Sequence, residues 1–122
     1  MTPTVHLSDP GAHPPLTPLS MAILLALAEG ELHGYALLQE IERQTAGSLS
    51  PGTGTLYAAL QRLADEGLIV ESPDLPAPEE DQRRRYYRIT PAGRAAAVAE
   101  SGRMARVLEI AREKRLVPEG GA

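Results

Sequence analysis

Apolar positions in this chain recur in three- and four-residue steps, interrupted twice by short runs that read as strands. Between Pro18 and Ala28 the stripe is Leu19, Ile23, Ala26 and Leu27, and Glu29-Gly30 ends it. From about Gly34 to Ala46, Leu37, Leu38 and Ile41 point inward while Gln39, Glu42 and Arg43 point outward. A short turn, Ala46-Gly47-Ser48-Leu49, separates this second helix from a third over Pro51 to Glu66, stopped by Gly67. Leu56, Ala59, Leu60 and Leu63 make the third helix's core face. Helix, glycine turn and helix is the order of a helix-turn-helix.

Three pairs, Thr17-Pro18, Ser50-Pro51 and Thr90-Pro91, predict helix starts. In each, the hydroxyl can accept from exposed amides, and proline takes the first helical position, where its missing N–H costs nothing. Leu68-Ile69-Val70 predicts a strand, Ser72 to Asp81 (with Pro73, Pro76 and Pro78) an irregular loop, and Arg83 to Ile89 a second strand. Tyr87 and Ile89 fall on one face of that strand, Tyr86 and Arg88 on the other. The two strands pair as an antiparallel hairpin. A last helix is expected from Pro91 to about Leu116, with Ala97, Ser101, Met104, Leu108 and Ala111 as a heptad seam that Val107 and Ile110 widen. A stripe on a helix outside an already complete core needs another surface, and a second copy is the simplest.

These elements predict a mainly α (α+β) fold: a winged helix-turn-helix over residues 16–90, with a dimerisation helix over 91–116. Tails at 1–15 and 117–122 are expected to be disordered. Four tyrosines and no Phe or Trp leave the core to aliphatic residues. With no cysteine, disulfides and thiolate metal sites are excluded. No segment resembles a signal peptide or a membrane span, so a soluble cytoplasmic protein, associated with the nucleoid and not with membrane, is expected.

The net charge of −4 runs against nucleic-acid binding, but its distribution does not. Between Gln82 and Arg94 lie Arg83, Arg84, Arg85, Arg88 and Arg94 with no acid among them, directly after Glu79, Glu80 and Asp81. Cations at a hairpin tip suit flanking phosphates, and one could enter the minor groove. On the third helix, Gly54, Ala58 and Gln61 lie opposite the core face, flanked by Thr55 and Tyr57. Small residues allow close approach to a groove floor, and Thr and Gln can bond base edges or phosphates. An ordinary solvated helix and a solvated charge run are the plain alternatives. Together these residues give a candidate set for double-stranded DNA: Ser50, Thr53, Gly54, Thr55, Tyr57, Gln61, Arg83, Arg84 and Arg85. For a homodimer the set is Ala97, Ser101, Met104, Val107, Leu108 and Ala111. Catalysis finds little support: His33 is the one histidine in the expected folded part, no metal-ligand spacing occurs, and Gly52-Thr53-Gly54 lacks the lysine of a phosphate loop. No cofactor is expected.

The runs Leu32-His33-Gly34-Tyr35, Gly54-Thr55-Leu56-Tyr57 and Tyr86-Tyr87-Arg88-Ile89-Thr90-Pro91-Ala92-Gly93 resemble the PadR family of bacterial transcriptional regulators. The resemblance extends from about Leu16 to Leu116. It implies a winged-helix dimer, usually a repressor on a pseudo-palindromic operator, that responds to small, often aromatic compounds. By position, Tyr35, Thr55 and Tyr57 fall where the family contacts DNA, and Arg84 and Arg85 on its wing. The short last helix resembles the small subgroup, whose terminal helix carries the dimer contacts. The chain departs from the family at Gln61, where a basic residue is common, and in its acidic, proline-rich wing loop. With no aromatic on the last helix, an effector site there would be lined by aliphatic side chains. A winged-helix module that binds protein and not DNA is the alternative from another class.

Overall fold

The computed structural model describes residues 13–72 and 85–119. Its elements are α1 (Pro18–Leu27), β1 (Leu32–His33), α2 (Gly34–Gln44), α3 (Thr53–Asp65), β2 (Ile69–Glu71), β3 (Tyr86–Ile89) and α4 (Pro91–Glu113). The expected winged helix-turn-helix, followed by a single terminal helix, is therefore present. Most of the expected tails and most of the loop from Ser72 to Asp81 lie outside the described residues, as do Arg83 and Arg84.

α1 is the hub. It packs on α2, α3, α4 and β3, so burial extends well past a single stripe. Met21, Ala22 and Leu24 are buried beside the expected Ile23, Ala26 and Leu27, while Leu19 is only half-buried. The expected stripe is too narrow because a helix enclosed on several sides is apolar nearly all round. Leu37 and Ile41 of α2 and Leu56, Ala59, Leu60 and Leu63 of α3 close on it, with Leu68, Ile69, Tyr87 and Ile89 from the sheet side.

Two of the three expected caps form. Thr17 Oγ1 accepts from Ser20 N at 3.1 Å, and Thr90 Oγ1 accepts from Gly93 N at 3.0 Å. Ser50 does not cap α3. Its hydroxyl donates to Glu42 Oε1 at 2.7 Å, a bond strengthened by the carboxylate's charge, and the helix begins at Thr53 with Gly52 as N-cap. The turn between α2 and α3 is held by Thr45, which donates to Ile41 O at 2.8 Å and accepts from Leu49 N at 3.1 Å.

The sheet has the order β1-β3-β2 and is antiparallel throughout. β2 and β3 form the expected hairpin, with Ile69 opposite Ile89 and Glu71 opposite Tyr87. β1 has no counterpart in the sequence reading, since two residues are too few to show alternation; Leu32 pairs with Tyr87 and His33 with Tyr86. His33 also caps α2, its Nδ1 accepting from Ala36 N at 3.1 Å. α4 rests on the body through Gly93, Ala96 and Ala99, then runs on with its side chains largely exposed.

Candidate nucleic-acid interface

α3 has the two-faced arrangement that its spacing predicts. Gly52, Thr53, Gly54, Thr55, Ala58 and Gln61 are exposed along one side, opposite the buried leucines. No side chain caps its first turn. Its leading amides and the positive end of its dipole are thus left for an outside acceptor. At the start of α2, Tyr35 is 57% exposed. Small residues, hydroxyls, uncapped amides and one projecting phenol suit a surface that meets a phosphate backbone and a groove floor.

Other candidates are engaged within the chain. Ser50 bonds Glu42, and Gln61 Nε2 donates to Asp65 Oδ1 at 2.9 Å on its own helix. Arg85 Nε lies 3.8 Å from Glu71 across the hairpin, and Arg88 Nη1 lies 3.7 Å from Glu31. Arg94, read from sequence as part of the basic run, donates to the Ala28 carbonyl at 2.9 Å, tying α4 to the end of α1. Within the described residues, acids thus face Arg85 and Arg88 of the sequence's basic patch; Arg83 and Arg84 fall outside that range. Tyr57 is half-buried, packed against the core and over Gly34. That Gly34–Tyr57 contact has no signal in residue spacing. Tyr57, Gln61, Glu71, Arg85 and Tyr87 border a small polar cleft of about 170 Å³. Burial, reinforced by Glu71, pushes the Tyr87 phenol above its ordinary pKa.

On α4 the seam divides. Ala97 packs against the protein's own core, whereas Met104, Val107 and Leu108 are exposed by 54, 66 and 42%. A groove of about 770 Å³ lies beside them, bounded by Met21, Ala22 and Leu25 of α1, Leu49 of the turn, and Glu100 and Met104 of α4. At its edge Glu100 accepts from Leu16 N and from Arg103 Nη2, both at 2.8 Å. These bonds, the backbone one first, hold the Glu100 carboxyl below the ordinary carboxylate range. Among the described residues no group of three or more His, Asp or Glu could hold a metal, and no helix is long and apolar enough to cross a membrane.

The transcriptional regulator PadR-like family model matches residues 23–99, from α1 to the part of α4 that rests on the body. The chain belongs to the PadR-like family. Relatives include the transcriptional regulator Rv3488 of Mycobacterium tuberculosis, 45% identical over 74 residues, 61% of this chain and 64% of that protein. An uncharacterised 37.1 kDa protein in transposon TN4556 of Streptomyces fradiae is 43% identical over 88 residues, 71% of this chain but 23% of its own length. The chain thus spans less than two thirds of both relatives. A solved transcriptional regulator from Clostridium thermocellum superposes with a TM-score of 0.64 at 29% identity, covering 77% of this chain and 89% of that one. The PadR-like family is one of transcriptional regulators and not of enzymes. The distal half of α4, with its exposed stripe, lies beyond the family match.

Proposed function

We propose that this PadR-like protein is a homodimeric, ligand-responsive repressor that binds an inverted-repeat operator in double-stranded DNA. The observation that carries the reading is the outward face of α3: Thr53, Gly54, Thr55 and Ala58 exposed beside an uncapped helix start, with Tyr35 projecting nearby. Two such faces related by a two-fold axis would read half-sites about 34 Å apart. Met104, Val107, Leu108 and Ala111 supply the seam, and the groove along α1 gives a second copy's apolar helix a place to lie. An effector bound near that seam would meet mostly aliphatic side chains.

The engagement of Arg85 by Glu71 and of Gln61 by Asp65 favours a second reading, a winged helix that contacts protein alone. Selection of genomic fragments by the purified protein separates the two. One enriched inverted repeat, bound by a dimer, supports the repressor; no enrichment at any salt overturns it. Every phosphate that the protein no longer neutralises flattens the log–log salt dependence by about 0.9. Replacing Arg83 and Arg84 by alanine removes two cations from each wing of the dimer and is therefore expected to flatten it by about two to four units, and an unchanged slope removes the wing from the interface.

A further inference from the structure

We propose that Tyr57 acts as a positioning residue for DNA readout, its ring set against the backbone of Gly34 so that α2 and α3 hold one relative placement. The proposal deepens the DNA-binding reading and rests on it. Gly34 opens α2, directly after the His33 cap and directly before the exposed Tyr35. Tyr57 follows Thr55 by two residues in the first turns of α3. The contact thus lies between the two groups best placed to touch DNA.

Its closeness is unusual. A β-carbon on Gly34 would stand 2.9 Å from Tyr57 Cζ, 3.1 Å from Cε1 and nearer still to the hydroxyl oxygen. A residue with any side chain at 34 would have to displace the ring. Packing on the core limits the ring's retreat on one side, and on the other it borders the cleft shared with Arg85 and Tyr87 of the sheet side. β1 closes the arrangement from the other end. His33 pairs with Tyr86 in the ladder, and their rings meet edge to face with centroids 5.4 Å apart. Tyr57 therefore sits where α2, α3 and the hairpin converge. The hydroxyl end of the ring lies where a side chain on Gly34 would begin, at the start of α2. Readout geometry is sensitive to small displacements, since groups misplaced by about an ångström no longer bond base edges.

The test uses the full chain with Tyr57→Phe, Tyr57→Ala, Gly34→Ala and the Gly34→Ala/Tyr57→Ala pair. Each is read by affinity for the selected operator, affinity for random-sequence DNA, and thermal midpoint. Positioning by the ring predicts that Tyr57→Phe stays within about threefold of the parent on the operator, while Tyr57→Ala and Gly34→Ala each bind it roughly tenfold or more weakly. Binding to random DNA, which depends on phosphate contacts, should change little. Gly34→Ala should cost far less once Tyr57 is alanine, in affinity and in midpoint alike, because the obstructing ring has gone. Weakening of operator binding in Tyr57→Phe as large as in Tyr57→Ala would make the hydroxyl a direct contact and overturn the proposal. So would equal cost of Gly34→Ala in both backgrounds. A parent protein that binds no DNA at any salt overturns the proposal together with the reading beneath it, whereas a parent that binds with additive mutant costs overturns the proposal alone.

Discussion

Two glycines on one helix should respond to the same substitution with opposite signs. Gly93 lies in the first turn of α4, where an added β-carbon would meet the Leu68 carbonyl oxygen inside van der Waals contact, Ile89 Cγ1 at 2.8 Å and Leu68 C at 3.1 Å. That carbonyl cannot swing away cheaply, for it accepts from Thr90 N at 3.1 Å and begins the hairpin. Gly102, farther along α4 and off the heptad seam, has nothing within 4 Å of such a carbon. Gly→Ala inside a helix gains about 1 kcal/mol from backbone propensity. At Gly102 that gain stands alone, and Gly102→Ala should raise the thermal midpoint by about 4–8 °C. At Gly93 it is set against an overpacking cost of about 1–3 kcal/mol, at the upper end because the obstacle is backbone. The net is a destabilisation of roughly 1–2 kcal/mol, or a fall of about 4–16 °C. The assay is thermal unfolding by far-UV circular dichroism at one protein concentration, which keeps any dimer contribution equal. A midpoint that rises for Gly93→Ala would refute the close packing of α4 on the hairpin, and one that falls for Gly102→Ala would refute the open surroundings of Gly102.

Leu108→Glu should turn a dimer into a monomer at micromolar concentration in sedimentation velocity, since unpaired charges in an apolar seam cost several kcal/mol. A persistent dimer would show that the stripe faces something else. Glu100→Gln probes the bonds to Leu16 N and Arg103. The folded carboxyl is held below its unfolded value of about 4.3, so its contribution is complete above that pH and disappears as pH falls through the folded value. Urea unfolding should find the variant less stable than the parent near neutrality, with the difference closing on acidification. A difference that grew toward acid would contradict those bonds.

α2 and α3 are legible in the sequence because each carries a clear period, and α1 and α4 because their hydroxyl–proline starts cap as expected. Alternation alone puts Tyr87 and Ile89 on one face, and that face is the buried one. What escapes is whatever depends on partners distant in sequence. Ser50 has the look of a cap, but Glu42 competes for its hydroxyl. β1 is too short to leave a pattern and exists because β3 offers it a free edge. Arg85 counts as a wing cation, yet Glu71 opposite in the hairpin engages it, and a single sequence shows no cross-strand partner. Gly34 and Gly93 sit in helical first turns, where spacing says nothing about the neighbour that comes too close for a side chain. The enclosure of α1 on several sides is equally hidden from a stripe reading that assumes one packed face.

His33 ends a ladder and begins a helix in the same residue, which removes all slack from that joint. One inserted residue between Leu32 and Gly34 could not be absorbed. It would pull the imidazole off the Ala36 amide, or slip β1 so that its inward and outward side chains exchange. Chain length at this joint should therefore be as strictly fixed as any side chain. Variation in length would have to be accommodated elsewhere, and a library of single-residue insertions scanned for folded protein should show a sharp gap at residues 32–34.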